Sequence, residues 1–174
     1  MISIQKVNIH NVWELLALEV DENQKCFVAT NTESIVEAYT TLAADGVALP
    51  FGVYENDTPV GFLMIGYGDQ PEVENPAIAH DSYCIWRLMI DRYHQGKGYG
   101  TQALRLALDY IRTLPCGPAR TCFLSYEPEN TTAKNCTTAS ASGRQGKWTG
   151  MRSSPLLIYK SSLKKMKPLT HGNL

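Results

Sequence analysis

The sequence feature that most constrains this chain is a glycine-rich turn between a predicted strand and a predicted helix. The strand covers residues 83–90, where aliphatic, aromatic and β-branched residues carry a single charge. The helix repeats apolar residues on one face as far as Leu114. Between them the chain reads Gln-Gly-Lys-Gly-Tyr-Gly, over residues 95–100. Glycines at alternate positions allow a tight turn and a close approach of the backbone to a ligand. Because the first amides of the helix are free and lie at the positive end of its dipole, the turn predicts an anion site, most often one for phosphate.

Two common phosphate-binding patterns do not describe this loop. The Walker pattern GxxxxGK[ST] has a different spacing, and the dinucleotide pattern GxGxxG has a different glycine order and needs an acidic residue at a later strand end. The pattern that fits is Gln-x-x-Gly-x-Gly, formed by Gln95, Gly98 and Gly100 after a strand that ends Leu-Met-Ile-Asp. The alternative interpretation is a strand-to-helix turn that binds no ligand.

With this strand and this helix on either side, the pattern resembles the pyrophosphate loop of the GNAT superfamily, the acetyl-CoA-dependent N-acetyltransferases. The resemblance extends from Ile2 to about Lys134 and is closest to the bacterial spermine/spermidine-type N-acetyltransferases. Besides the loop, the segments that carry it are Phe-Val-Ala-Thr-Asn (27–31), Glu-Ala-Tyr (37–39), Pro-Phe-Gly (50–52), Val-Gly-Phe (60–62), Ile-Trp-Arg-Leu-Met-Ile-Asp (85–91) and Ser-Tyr-Glu-Pro-Glu-Asn (125–130).

The order of the predicted elements agrees with the fold that this resemblance implies. Asn31 or Thr32 is the predicted cap of the second helix. We expect an α/β fold of the GNAT type, a single domain over residues 1–134 in which helices flank a mixed, mostly antiparallel sheet. Strands are predicted at residues 2–7, 48–54, 59–67, 83–90 and 122–126, and helices at 11–19, from 31 or 32 to 42, after the glycine-rich loop, and from 131 onward.

The resemblance also implies how the chain would bind acetyl-CoA, its expected co-substrate. The backbone of Leu88, Met89 and Ile90 is expected to hydrogen-bond the pantetheine arm, although a plain core strand is an equally direct interpretation of these residues. Asn130 is expected either to hold the far arm of the cofactor or to cap a helix. The pyrophosphate is expected at the amides of the loop and of the helix start, which are those of Gln95, Gly96, Lys97, Gly98, Tyr99, Gly100 and Thr101.

Acetyl transfer to an amine needs a base, a polarised thioester carbonyl and an acid for the departing thiolate. Glu55 and Tyr126 are the candidates for proton transfer. The family usually has its acid in the final helix, as a tyrosine in a Leu-Tyr pattern followed by Gly-Phe, and that pattern is absent here. A polyamine is cationic, so carboxylates near the acceptor site would attract it. Four acidic residues could line that site or form a solvated acidic surface, namely Glu19, Asp21, Glu22 and Glu33.

Charge and cysteine content limit the other functions. The formal net charge of -1 gives no general attraction to nucleic acid or to a membrane. The five cysteines are scattered and form no CxxC pair, so we expect reduced thiols and no metal. The first residues lack the apolar core of a signal peptide, so we expect a cytoplasmic protein. The resemblance implies that its partner is a small-molecule amine. Whether the chain forms a homodimer is left open.

The chain changes character after Lys134. No Asp or Glu occurs after Glu129, whereas Ser, Thr, Lys and Arg continue. We interpret residues 135–174 as an atypical tail in which the family's closing helix and strands are missing or non-native. Degenerate codons for this tail, read two nucleotides on, permit the missing Leu-Tyr and Gly-Phe and then a closing strand. Trp148 and Met151 are each encoded by a single codon, so they leave little freedom in the choice of codons, and the fit holds there. Our hypothesis is that the tail is out of frame; the alternative is a genuine variant whose basic end serves a partner.

Three functions are compatible with these patterns. The first is an N-acetyltransferase for a small amine, with a polyamine as the expected acceptor and a protein N-terminus or an antibiotic as alternatives. The second is an acyl-CoA-binding domain with impaired or no catalysis. The third is a translated remnant that does not fold stably. Binding of CoA without turnover of any amine would separate the second from the first.

Deleting one nucleotide, or adding two, near codon 134 should give a protein that is both more stable and more active. Closing strands would cover apolar surface, which stabilises by about 25 cal/mol per Å². A tyrosine acid near the leaving sulfur would raise turnover by about 10²–10⁴-fold. Urea unfolding and spermidine acetylation measure the two effects. If the 174-residue chain melts cooperatively and acetylates spermidine as fast as the restored chain, the hypothesis is wrong.

Overall fold

The computed structural model describes residues 1–69, 79–119, 121–141 and 157–160, and in this part of the chain a six-stranded sheet carries helices on both faces. The strands lie side by side in the order of the sequence. The strands are β1 (Ile2–Lys6), β2 (Ala48–Glu55), β3 (Thr58–Tyr67), β4 (Ser82–Ile90), β5 (Thr121–Tyr126) and β6 (Leu157–Lys160), and the helices are α1 (Val12–Leu16), α2 (Asn31–Ala43), α3 (Tyr99–Arg112) and α4 (Thr131–Ala141). The predicted order of elements is therefore the observed one, with β6 added.

Each face of the sheet has its own apolar core. On one face, α3 packs Ala103, Leu104, Ala107 and Ile111 against Leu63 and Ile65 of β3. On the other, Ala38 of α2 packs near Phe62 and Met64. Because both faces are covered, β3 is buried from Val60 through Ile65 and reads as a continuous apolar run. None of the helices in the described residues combines the length and apolar character needed to cross a membrane.

The N-terminus of α2 differs from the prediction. The cap is Thr30, whose hydroxyl accepts a hydrogen bond from the Glu33 amide (3.1 Å) while the Glu33 carboxylate accepts one from the Thr30 amide (2.8 Å). This reciprocal pair is a capping box, which satisfies two free amides at once. Asn31 is instead buried, and its side chain donates to the Leu15 carbonyl (2.7 Å). The second helix therefore begins one residue earlier than a cap at Asn31 would allow.

The pairing of β4 changes along its length. β4 runs antiparallel to β3 as far as Ile90, with an irregularity that leaves Trp86 as an extra residue between Ile85 and Arg87. Its parallel pairing with β5 covers only residues 82–85 opposite 121–124. Among the described residues, the rest of β4 therefore has no partner in β5. We call the space beyond Ile85 and Leu124 the β4–β5 gap.

The described part of the tail contains two regular elements. Helix α4 extends to Ala141, and β6 pairs in parallel with β5, with Phe123 opposite Leu157 and Tyr126 opposite Lys160. Helix α4 is the helix predicted from residue 131 onward, and β6 is a strand within the segment interpreted as an atypical tail. The remainder of the predicted out-of-frame segment, residues 142–156 and 161–174, lies outside the described residues. The reading-frame hypothesis stays a prediction.

Substitution of Gly61 by alanine should destabilise the fold more than substitution of Gly52. A Cβ at Gly61 would lie 2.5 Å from the backbone oxygen of Met89, which cannot move without disturbing β4. A Cβ at Gly52 would meet the ends of the Leu15 and Tyr54 side chains, both at 2.7 Å. We expect Gly61→Ala to cost about 1–3 kcal/mol, as overpacking does. Urea unfolding of both variants measures this, and an equal or smaller loss for Gly61→Ala would contradict it.

Candidate active site

The glycine-rich loop has the backbone conformation that an anion site requires. Gly96 (φ +77°) and Gly98 (φ +75°) are left-handed, and apart from their chain neighbours no heavy atom of the described residues lies within 4 Å of where a Cβ would stand at either residue. Gly98 is the N-cap of α3, and no side chain caps the helix. The first intrahelical bond runs from the Gln102 amide to the Gly98 carbonyl (3.2 Å), so the amides of residues 99–101 have no helical acceptor. The loop therefore offers main-chain donors on an open side.

A buried carboxylate fixes the connection between β4 and this loop. Asp91 is 6% exposed, and its side chain accepts hydrogen bonds from the amides of Tyr93 and Glu19, both at 3.1 Å. The Arg92 amide donates to the Glu19 carbonyl (2.8 Å). Asp91 thus holds the loop entrance and the backbone of Glu19 together.

The three predicted β4 residues line the β4–β5 gap. Leu88 and Ile90 pack on the core beneath α3, whereas Met89 packs on the core beneath α2. Their backbone pairs with β3 on one side and, within the described residues, has no β5 partner on the other. An extended ligand can add to such an edge through main-chain hydrogen bonds. Both interpretations of these residues, core strand and ligand edge, are therefore compatible with the structure.

Helix α4 packs against the start of α3. The Thr101 hydroxyl lies 3.7 Å from the Cys136 sulfur, and Arg105 donates to the Ala139 carbonyl (3.1 Å). The Asn130 side-chain oxygen accepts a bond from the Ala133 amide (2.9 Å), so Asn130 caps α4. Its role toward the cofactor stays a prediction.

The four predicted acidic residues have different environments. Glu19 lies 3.5 Å from Arg92, and Glu22 forms an exposed ion pair with Lys25 (2.6 Å). Asp21 precedes the short 3₁₀ helix Glu22–Gln24. The fourth, Glu33, belongs to the capping box of α2. Glu19 is thus the one held directly beside the end of β4.

The two predicted proton-transfer residues lie on different strands. Glu55 ends β2, and its hydrogen bond raises the pKa of Tyr99 in the first turn of α3. Tyr126 ends β5 and packs against the core beneath α3. Because β3 and β4 separate these strands, the two residues lie at separate places in the sheet. Their catalytic roles stay predictions.

An ion pair on the α2 side of β4 was not predicted. Arg87 donates to the Glu37 carboxylate (2.6 Å) and to the Trp86 carbonyl (3.0 Å), while its buried Nε has no partner. The signal in the sequence was the single charge within an apolar strand, but its partner lies 50 residues away. In the described residues, no cluster of three or more His, Cys, Asp or Glu side chains could hold a metal ion.

Comparison with known proteins identifies relatives of this fold. The Acetyltransferase (GNAT) family matches residues 12–138. The structure is similar to aminoglycoside acetyltransferase AAC(6')-Ib in complex with coenzyme A and kanamycin, with a TM-score of 0.60 and 20% identity over 84% of this chain and 86% of that chain. It is similar to AAC(6')-Iy in complex with a bisubstrate analogue, with a TM-score of 0.56 and 12% identity over 94% and 99% of the two chains. A transcriptional regulator from Bacillus halodurans gives a TM-score of 0.55 and 14% identity over 84% and 97%. A search of curated proteins finds no match.

Gly98→Asp should abolish CoA binding, because its carboxylate would stand at the open side of the loop and repel a pyrophosphate. The matched control is Gly68→Asp. Gly68 has nearly the same backbone conformation (φ +69°), and a Cβ there would meet no neighbour within 4 Å among the described residues, but it follows β3, away from the loop. Isothermal titration calorimetry with CoA on folded variants tests the assignment. Equal CoA affinity in the two variants would contradict it.

Proposed function

The chain belongs to the acetyltransferase (GNAT) family, and from this premise we propose that it transfers an acetyl group from acetyl-CoA to a primary amine of a small molecule, by direct attack in a ternary complex. The observation that carries the proposal is the adjacency of two unpaired stretches of main chain. Among the described residues, the open edge of β4 ends at Ile90, the glycine-rich loop begins five residues later at Gln95, and the free amides at the start of α3 are those of residues 99–101. A ligand with an amide-containing arm and a pyrophosphate matches this pair of sites.

The residues of this chain fit acetyl-CoA, and the proposal includes no metal and no other cofactor. Loop amides would bind the pyrophosphate, with the α3 dipole adding to their attraction. Backbone groups of Leu88, Met89 and Ile90 would pair with the arm and place the thioester in the β4–β5 gap. A backbone amide on that edge would polarise the thioester carbonyl, since donors aimed at a developing negative charge stabilise the transition state.

Two proton transfers accompany the reaction. The acceptor nitrogen loses a proton as its bond to the acetyl carbon forms, and the sulfur of CoA gains one as the carbon–sulfur bond breaks. We assign the acid role to Tyr126, since β5 borders the β4–β5 gap. Glu55 is the weaker candidate for the base, because β2 is two strands from β4.

The acceptor that we propose is a polyamine such as spermidine or spermine. Glu19 is held beside the end of β4 by Asp91 and Arg92, and Asp21 and Glu22 follow within three residues. Carboxylates grouped in this way attract a molecule with several positive charges. Glu33 is the weaker candidate for acceptor binding, because it serves the α2 cap. The aminoglycoside bound by AAC(6')-Ib carries several amines too, so kanamycin is the natural competitor in a test.

A second candidate function is acyl-CoA binding with impaired catalysis. Helix α4 contains no tyrosine. Thr137, in the middle of α4, is 2% exposed, and its hydroxyl donates to the Ala133 carbonyl (2.7 Å). A hydroxyl bonded within its own helix is a poor proton donor to a ligand. Under either function we propose a cytoplasmic location, since the five cysteines are free thiols.

Spermidine should be acetylated in preference to two competing amines, a lysine peptide and kanamycin. Removal of the acidic charges should raise the KM for spermidine. We expect about a 1.4- to five-fold increase in KM for each of Asp21→Asn and Glu22→Gln, because exposed ion pairs contribute about 0.2–1 kcal/mol. Asp57→Asn in the β2–β3 turn is the matched control and should leave KM unchanged. Acetylation rates across the acceptors provide the measurement.

Three outcomes of that experiment are distinct. A preference for kanamycin or the lysine peptide rejects the polyamine and leaves the acetyltransferase standing. CoA binding without turnover of any amine supports the second candidate. Absence of CoA binding in the folded chain rejects both.

A further inference from the structure

Residues 19–25, which we call the acidic segment, are tied to the loop region by two sets of hydrogen bonds. The first set uses the main chain of Glu19: its amide donates to the Asp91 carboxylate (3.1 Å), and its carbonyl accepts from the Arg92 amide (2.8 Å). The second set joins two glutamine side chains. Gln24 Nε2 donates to Gln95 Oε1 (3.0 Å), and Gln95 Nε2 donates back to Gln24 Oε1 (2.8 Å). The bonded residues are 71 to 73 positions apart in the chain.

The side chain of Gln95 is committed to these partners. Its Nε2 also donates to the Ile90 carbonyl (2.9 Å), so both of its amide hydrogens are in use. Gln95 opens the glycine-rich loop, yet its side chain joins the end of β4 to the acidic segment. A side-chain amide can donate and accept at the same time, so two glutamines can form this reciprocal pair.

We propose that Gln24 is a positioning residue for the acceptor amine, through which occupation of the loop orders the acidic segment. This inference rests on the proposed function. A pyrophosphate on the loop amides would fix the backbone at Gln95, and the amide pair would pass that order to Gln24. Asp21 and Glu22, which precede Gln24, would then be held in place before the cationic amine arrives.

The consequence is cooperative binding. A ligand that meets an already ordered site loses less conformational entropy on binding, so acetyl-CoA increases the affinity for the amine. The coupling is reciprocal, since the amine must increase the affinity for CoA by the same factor. A merely structural role for Gln24 would instead change stability and leave the two bindings independent.

Hydrogen exchange of the full chain, with CoA as the only ligand, tests the link without any assumption about the acceptor. In the wild type, CoA should slow the exchange of amides in residues 19–25, among them Glu19, Gln24 and Lys25, by about 5-fold or more, the lower end of typical coupling factors. Gln24→Ala and the equal-sized Gln24→Glu should lose most of this protection, because neither keeps both bonds of the pair. Gln5→Ala, at an exposed glutamine on β1, is the control and should retain it.

Steady-state kinetics with spermidine add a second readout. At saturating acetyl-CoA, both Gln24 variants should raise the KM for spermidine by about 5-fold or more, with a smaller change in kcat. Calorimetry should show CoA binding retained in both variants. If the wild type binds CoA and its acidic segment shows no added protection, or if Gln24→Ala keeps the protection, the inference is overturned while the proposed function stands. If the wild type does not bind CoA, the proposed function is wrong, and the inference that rests on it is overturned with it.

Discussion

The antiparallel pairing of β4 with β3 is the interaction on which the rest of the structure depends. It continues as far as Ile90, although the pairing of β4 with β5 ends at Ile85. Unpaired main-chain groups inside a protein are costly unless something satisfies them. A strand that is paired on one side only therefore presents a row of hydrogen-bonding groups that a ligand can satisfy. The close approach of Gly61 to the Met89 carbonyl shows how tightly the supporting side is packed.

The elements that sequence patterns predicted correctly are those with local causes. Alternate glycines, a 3.6-residue apolar repeat and a continuous apolar run each depend on neighbours a few residues away, and the strand, loop and helix around residue 95 were found from them. The Thr30 cap had a local signal too, because Thr-x-x-Glu is readable in the sequence, but the prediction considered only Asn31 and Thr32. Arg87 and Glu37, in contrast, meet only after two elements pack, and no short pattern identifies them.

The parts of the candidate site that are made of backbone could be predicted from the sequence. The loop conformation follows from residue type, whereas the roles of individual carboxylates follow from their neighbours in space. Glu33 and Glu19 are both glutamates in the first part of the chain, yet Glu33 belongs to a helix capping box and Glu19 lies beside Arg92. Glu55 and Tyr126 were chosen for chemistry alone, and only the strand order shows that they are far apart in the sheet.

The open left-handed glycines of the loop have a consequence for how such a protein can change over time. Peptide amides carry no side-chain identity and do not titrate, so a donor site made from them is indifferent to most substitutions at Lys97, between Gly96 and Gly98. Selection for binding of the acetyl donor then acts on the three loop glycines and leaves the surrounding surface free to change. The acceptor side, built from side chains such as Asp21 and Glu22, can drift toward new amines while the acetyl donor remains the same.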